Sequence, residues 1–261
     1  MDTDRTQRKT TIITGATGGI GQVLAESYLR EGQNVVLGGR DPERLQELAR
    51  RLSASDRVAL VAGDLRDLST AERLVETAVA SFGPTLTNVV HNAGTFLVRP
   101  FLQTTPDDLD PYLDFFRGAY RLTQCAVEQI QRQAGGRARS EGAVVFISTQ
   151  FTEGFIAQFP CSAVGAVKSA FSGFTRATCH ELAELGIRVN TLNLGVIETP
   201  IYGLDREGLR GLRSLQPLNE NGRPEDVAEA VLFLTERSPF TTGQVIALDG
   251  GVSAGHYAGA C

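Results

Sequence analysis

The chain has 261 residues, 42% hydrophobic and 21% charged, which is the balance and length of a globular protein with a full core. Its net charge is −5 and no run of Lys and Arg is long enough to follow a phosphate backbone, which argues against nucleic acid and anionic membranes as partners. The polar first ten residues, and the lack of any apolar run of roughly 18 residues, predict a soluble, cytoplasmic protein. A small-molecule substrate fits these limits.

Short β-branched runs alternate with helical patterns along the chain. We predict strands over 11–14, 34–37, 57–62, 88–91, 143–148, 188–194 and 244–248, and helices up to about 31 and over 42–52, 69–82, 107–132, 162–184 and 224–235. Val89–Val90 and Val144–Ile147 are apolar on both faces, as in a parallel sheet covered by helices on both sides. The pattern predicts a single α/β domain over 1–261, a Rossmann-type doubly wound fold with about seven parallel strands.

The segment 198–218 is irregular and follows a strand of this sheet. Ligands of doubly wound sheets bind beyond the carboxyl ends of the strands, so 198–218 is a candidate substrate lid. The alternative is an ordinary exposed loop with Leu204, Leu209 and Leu212 packed beneath it.

Cysteine and lysine are sparse. The cysteines at 125, 161, 179 and 261 form no CxxC pair and show no metal-like spacing with the three histidines, so we expect free thiols and no metal site. Only Lys9 and Lys168 are lysines among the 25 basic residues, which draws attention to Lys168.

A glycine-rich turn, Thr14–Gly21, follows the first strand and opens a helix. Glycines let the backbone approach a pyrophosphate, and a helix N-terminus offers free N–H groups, so the turn favours a dinucleotide site. Its spacing is GxxxGxG rather than GxGxxG, and a purely structural tight turn is the alternative.

Together with further segments, this turn resembles the classical short-chain dehydrogenase/reductase family over essentially the whole chain. His91–Gly94 is similar to the family's N-N-A-G, and Asn193–Pro200 is similar to its P-G-x-I-x-T segment, with Leu194 where proline is usual. Gly222–Ala228 and Thr242–Gly251 also match family segments. The resemblance implies a nicotinamide cofactor, a small-molecule substrate and a homo-oligomer, a dimer or tetramer formed through the long helices.

The end of the second strand bears on the choice of cofactor. Glycine stands where NAD-dependent members carry an acidic residue for the ribose diol, and the adjacent Arg40 is available to a 2′-phosphate, which favours NADP(H). The alternative is local pairing of Arg40 with Asp41 or Glu43. By resemblance, Asp64 would meet the adenine and Thr199 the nicotinamide amide. The implied cofactor-binding residues are Gly15, Thr17, Gly19, Ile20, Gly21, Arg40, Asp64, Leu65, Asn92, Ala93, Gly94, Lys168, Gly195, Ile197 and Thr199.

The resemblance breaks at the catalytic positions. The family uses a Tyr-x-x-x-Lys pair, and Lys168 matches the lysine, but Val164 occupies the tyrosine position and carries no proton to donate. The enoyl-reductase variant of the family places its tyrosine seven residues before the lysine, where this chain has Cys161, and no tyrosine lies between 121 and 201. Lys168 keeps an implied role in holding the nicotinamide ribose, with a chance lysine on a helix as the alternative.

The other catalytic positions also differ. Thr149 or Ser148 would take the place of the family's serine, with an insertion within 150–153, and the family's asparagine has no clear match in Leu113–Gly118. Glu153 is a candidate acid if it is partly buried, against the alternative of a solvated loop residue. His91 is a second candidate proton donor, but a structural role at the end of its strand is favoured over that function.

Apolar and aromatic side chains crowd the same region of the sequence. If several face the cavity, the substrate is apolar and flat or bulky, whereas core packing is the alternative for each residue taken singly. They are Phe96, Leu97, Phe151, Phe155, Ile156 and Phe159.

Loss of a general acid costs about 10²–10⁴-fold in rate, which disfavours plain ketone reduction. We therefore hypothesise an NADP(H)-dependent oxidoreductase with substrate-assisted or water-mediated protonation, acting on an iminium, enone, quinone or polyphenol. Bacterial secondary metabolism of an aromatic compound would suit it, by family analogy alone. The alternatives are a non-redox cyclase, dehydratase or isomerase with spectator NADP(H), and a non-catalytic NADP(H)-binding protein.

Overall fold

The computed structural model describes residues 8–96, 98–135, 140–154 and 159–255. Seven parallel strands form one sheet in the order β3-β2-β1-β4-β5-β6-β7, which confirms the predicted fold class. Both the order and the direction of the strands are those of a doubly wound fold. The strands are β1 (Thr10–Thr14), β2 (Asn34–Gly39), β3 (Val58–Ala62), β4 (Leu86–His91), β5 (Gly142–Thr149), β6 (Ile187–Leu194) and β7 (Val245–Leu248).

Helices cover both faces of the sheet because successive residues of a buried strand point to opposite sides. Ile13 packs with the helices of one face and Ile12 with those of the other, and both are fully buried. On the first face lie α1 (Gly19–Arg30), α2 (Pro42–Leu52) and α7 (Pro224–Leu232). On the second lie α3 (Ser69–Phe82), α4 (Asp110–Ala134) and α5 (Ser162–Leu182).

Local signals explain where the helices begin and end. Asp41 caps α2, since its carboxylate accepts hydrogen bonds from the backbone N–H groups of Glu43 and Arg44 at 3.0 and 3.2 Å. The predicted helix over 107–132 begins later, at Asp110, because a 3₁₀ turn over Pro106–Asp108 precedes it. The helix predicted over 224–235 is α-helical only to Leu232 and then widens to a π-helix over Phe233–Arg237.

The segment 198–218 lies between β6 and α7 and is built of short helices. They are a 3₁₀ turn over Pro200–Tyr202, α6 (Arg206–Gly211) and a second 3₁₀ turn over Arg213–Leu215. Leu204 is exposed rather than packed beneath the segment.

Cys125, Cys161 and Cys179 are buried free thiols, and Cys261 lies outside the described residues. No cluster of metal-ligating side chains occurs among the residues that the structure describes. None of the helices in the described ranges is long and apolar enough to cross a bilayer.

Candidate active site

A cavity of about 620 Å³ lies at the carboxyl edge of the sheet. It is lined by the glycine-rich turn after β1, by the ends of β2, β4, β5 and β6, by α5, and by the segment 198–218. Every residue implied by the resemblance as a cofactor contact lines it, with the exception of Gly21. One edge of the sheet therefore brings together side chains that are far apart in the sequence.

The glycine-rich turn packs backbone against backbone. Gly15 has a φ of +64°, and a Cβ there would lie 2.7 Å from the Cα of Ala93. A Cβ on Gly19 would lie 2.9 Å from Cγ2 of Thr199. Side chains larger than hydrogen would close the cleft between this turn, the end of β4 and the beginning of the segment 198–218.

Gly21 corrects one expectation from the sequence. It does not line the cavity, and a Cβ there would collide with the carbonyl oxygen of Gly15 and lie 2.7 Å from the Cα of Ala16. Its role is to let α1 pack closely beneath the glycine-rich turn, rather than to line the cavity.

Thr14 and Asn92 lock the turn to β4. The Thr14 hydroxyl oxygen accepts hydrogen bonds from the backbone N–H groups of Asn92 and Ala93 at 3.1 and 3.0 Å. The Asn92 side-chain amide donates to the carbonyl oxygens of Thr14 and Gly15 at 3.1 and 3.0 Å. Asn92 thus rigidifies the turn with both bonds, a role that its position at a strand end did not reveal.

Two arginines mark the end of the cavity formed by β2 and α2. Arg40 is exposed, lines the cavity and forms no ion pair with any described residue, while Asp41 is engaged in capping α2. Arg44 also lines the cavity, and its guanidinium donates to the carbonyl oxygen of Thr17 at 3.0 Å. Arg44 was not predicted from the sequence, although its position in the first turn of α2 was the available signal.

Asp64 lies at the same end, with its carboxylate already engaged. It accepts two hydrogen bonds from the Arg66 guanidinium, at 3.0 and 2.7 Å, and this pairing lowers the pKa of Asp64. Asp64 and Leu65 both form part of the cavity wall.

Lys168 projects from α5 to the end of β5. Its Nζ donates to the carbonyl oxygen of Ile147 at 3.0 Å, and burial lowers the pKa of the amine to about 8. A Cβ on Gly94 would lie 3.2 Å from this nitrogen, so Lys168 closely adjoins the chain that follows β4. One turn before Lys168, the Val164 side chain is fully buried and also lines the cavity.

Ser148 and Thr149, the two candidates for the family's serine, both line the cavity. The Ser148 hydroxyl is buried and donates to the backbone carbonyl of Lys168 at 3.4 Å. Thr149 is partly exposed, and its hydroxyl oxygen accepts from the backbone N–H of Phe151 at 3.4 Å, which leaves its proton available. The geometry favours Thr149 for contact with a ligand.

Glu153 does not fit the role of a buried acid. It is exposed, does not line the cavity, and accepts a hydrogen bond from the Asn193 side chain at 3.3 Å. The turn after β5 leaves this side chain in solvent, which agrees with the alternative of a solvated loop residue. Cys161, Ser162 and Asn193 likewise do not line the cavity, whereas Gln150 does.

His91 is a structural group. Its Nε2 lies 3.0 Å from the Thr123 hydroxyl, which itself donates to the Ala119 carbonyl, so Nε2 carries the proton. The ring stacks on Phe146 at 4.5 Å, and burial lowers the pKa of His91 to about 3. A neutral, buried imidazole of this kind is a poor proton donor.

Aromatic rings form the wall near Lys168. Phe96 packs against Phe151 at 5.9 Å and against Tyr202 at 6.2 Å between ring centroids. Phe115 and Phe159 line the same space, whereas Leu97, Phe155 and Ile156 lie outside the described residues. Two of these aromatic residues were not predicted from the sequence. They are Phe115, in the segment that has no clear match to the family's asparagine, and Tyr202, in the segment 198–218.

Tyr202, from the segment 198–218, also lines the cavity. Burial raises the pKa of this phenol, so it stays protonated over the neutral range. Ile201, Leu212 and Leu215 from the same segment also line the cavity, which is why 198–218 remains a candidate lid.

Comparisons with known proteins agree with this geometry. The family model described as enoyl-(acyl carrier protein) reductase matches residues 15–253. The NADP-dependent (R)-specific alcohol dehydrogenase of Lentilactobacillus kefiri is 29% identical over 97% of this chain and 99% of its own length. A solved structure of a short-chain dehydrogenase/reductase family protein is 29% identical, with a TM-score of 0.82 over 96% of this chain and 100% of the other.

A further solved structure, ElxO with NADP bound, is 25% identical and has a TM-score of 0.83 over 95% of this chain and 100% of the other. The match of the family model over most of the chain, together with the sheet order and the glycine-rich turn, leaves one assignment. The chain belongs to the classical short-chain dehydrogenase/reductase family of oxidoreductases.

Proposed function

We propose that this protein is an NADP(H)-dependent oxidoreductase that acts on a bulky, aromatic or apolar small molecule and does not use a tyrosine at the family's usual position. The observation that carries the proposal is the composition of the cavity around Lys168. Val164 is fully buried there, and the adjoining wall is made of Phe96, Phe115 and Phe151.

The cofactor end of the cavity fits a dinucleotide. Gly15 and Gly19 leave a cleft that a Cβ would fill, and the N-terminus of α1 offers free N–H groups for a pyrophosphate. When bound, a nicotinamide cofactor supplies or accepts a hydride. Lys168 and Thr199 are the residues that would orient the nicotinamide end, since both line the cavity near the end of β5 and the beginning of the segment 198–218.

The preference for NADP(H) is supported by Arg40 and Arg44. Both residues line one end of the cavity, and a guanidinium pairs well with a phosphate. The alcohol dehydrogenase of L. kefiri is NADP-dependent by name, and the ElxO structure contains NADP.

Protonation is proposed to come from the substrate or from water. Valine cannot donate a proton, so the acceptor is one that tolerates delayed protonation, such as an iminium, an enone, a quinone or a polyphenol. The same buried Val164 leaves room for a second candidate, a non-redox enzyme that keeps NADP(H) as a spectator.

Homo-oligomerisation is also proposed, through α4 and α5. Leu113 and Tyr120 on α4 are 45% and 43% exposed, and they are the apolar side chains of this helix that a second copy of the chain would cover. Light scattering that gives a monomer at micromolar concentration would refute it.

The deciding experiment for the function is deuteride transfer. The protein is incubated with extract from its source organism and NADPH deuterated at C4 on either face, and products are analysed by mass spectrometry. A Gly15→Val variant, in which the cleft is closed, is the control. A product labelled from one face only, and absent with the control, supports the oxidoreductase. An unlabelled new product would refute hydride transfer and favour the non-redox enzyme.

A further inference from the structure

Gln150 stands apart from the other buried glutamines. It follows β5 as the first residue of the 3₁₀ turn Gln150–Thr152, it is 2% exposed, and it lines the cavity. Its side-chain Oε1 is buried and has no hydrogen-bond partner. A buried acceptor without a partner is disfavoured in a folded protein, so its retention needs a reason.

Buried glutamines elsewhere in the described chain have side-chain partners. The Gln33 oxygen accepts from Thr11 at 2.8 Å, and the Gln216 oxygen accepts from the backbone N–H of Val196 at 3.2 Å. The Gln129 amide donates to Gln133 at 3.2 Å. These three amides hold the fold together, whereas the side-chain oxygen of Gln150 accepts no such bond.

The surroundings of Gln150 suggest what would satisfy it. Phe96, Phe151, Phe159 and Tyr202 line the same cavity, and ligand sites of this kind combine apolar walls with a few polar groups that fix orientation. An amide oxygen accepts hydrogen bonds, so the matching ligand group is a donor on a flat apolar body.

We propose that Gln150 is a specificity-determining residue that accepts a hydrogen bond from a hydroxyl group on an aromatic substrate. The inference rests on the proposed function, because it takes the aromatic end of the cavity to be the substrate end. It narrows the substrate class from bulky and apolar to hydroxylated aromatic molecules. A site that leaves a buried polar group unpaired rejects the analogue that lacks the hydroxyl.

The test compares 2-naphthol with 2-methylnaphthalene, which has nearly the same shape and no hydroxyl. Binding of each to the NADPH-loaded protein is measured by calorimetry for the wild type, for Gln150→Leu, and for Gln103→Leu, which changes an exposed glutamine. We expect Gln150→Leu to weaken 2-naphthol binding about tenfold or more, and to leave 2-methylnaphthalene and the control variant unchanged.

Thermal stability separates a binding role from a structural one. Because Oε1 of Gln150 has no partner in the protein, Gln150→Leu is expected to keep or raise Tm. Three outcomes would each overturn the proposal. In Gln150→Leu, they are a fall in Tm with unchanged 2-naphthol affinity, or an equal loss of affinity for both ligands. In the wild type, the outcome is no binding of 2-naphthol. Gln150→Glu keeps an acceptor of the same size, and we expect it to bind 2-naphthol within about threefold of the wild type.

These outcomes are distinct from failure of the proposed function. Binding selectivity for 2-naphthol that depends on Gln150, together with absent deuteride transfer, would refute the oxidoreductase and keep the ligand class. Deuteride transfer, together with no effect of Gln150→Leu on ligand selectivity, would support the oxidoreductase and refute the role of Gln150.

Discussion

Lys168 is expected to destabilise the fold that holds it. Its amine is buried, and its pKa is about 8 rather than 10.5. At about 1.4 kcal/mol for each pH unit, the difference corresponds to a penalty of about 3 kcal/mol for the protonated form at neutral pH. The hydrogen bond from Nζ to the Ile147 carbonyl offsets about 1–2 kcal/mol of that. Lys168→Met should therefore stabilise the protein by about 1–2 kcal/mol at pH 7.

The pH dependence has a definite sign. Below pH 8 the amine is protonated in both the folded and the unfolded state, and the full penalty applies. Between pH 8 and 10.5 the unfolded state binds more protons, so the stability of the wild type rises with pH. Above 10.5 the amine is neutral in both states and only its hydrogen bond counts. The advantage of Lys168→Met should disappear or reverse across this window.

Urea unfolding of the wild type and the variant at pH 7 and near pH 11 measures this difference. Lys9→Met is the matched control, because Lys9 is the other lysine of the chain, half-exposed and paired with Glu236 at 3.0 Å. Its removal should not stabilise the protein. A Lys168→Met variant that is less stable than the wild type at pH 7, or whose advantage does not change with pH, would refute the argument from burial.

Four further changes test individual parts of the site. Arg40→Ala should weaken NADPH binding about 10- to 100-fold and leave NADH binding unchanged, since it removes one charge-assisted contact to the 2′-phosphate; equal losses for both would contradict the proposed selectivity. Gly21→Val should destabilise the fold by about 1–3 kcal/mol, measured by urea unfolding, because its side chain collides with the turn; unchanged stability would disprove the close packing. Tyr202→Phe should keep the rate of deuteride transfer within about threefold, and a loss of 10²-fold or more would identify this phenol as the acid. Val164→Tyr should create reduction of simple aromatic ketones in a spectrophotometric NADPH assay, and no gain would mean that the altered loop 149–154 also prevents it.

The sequence by itself determined the fold and the glycine-rich end of the cavity. Alternation of β-branched runs with helical patterns predicts a doubly wound sheet. Helices α2 and α3 have the predicted bounds because the Asp41 cap of α2 and the apolar patterns of both helices are local. Glycine spacing likewise predicted the turn after β1. The same spacing wrongly predicted Gly21 as a cofactor contact, since spacing does not reveal whether a glycine faces the cavity or packs under the turn.

Tertiary structure decided the substrate end. Three features depend on residues distant in the sequence. They are the exposure of Glu153, the position of Tyr202 at the cavity wall, and the lack of a hydrogen-bond partner for the Gln150 side-chain oxygen. Burial and hydrogen bonding are properties of packed neighbours, so a side chain's type and spacing do not specify them. The pKa of Lys168 has the same origin, because the low polarity around its amine exists only once β5 and α5 have packed together.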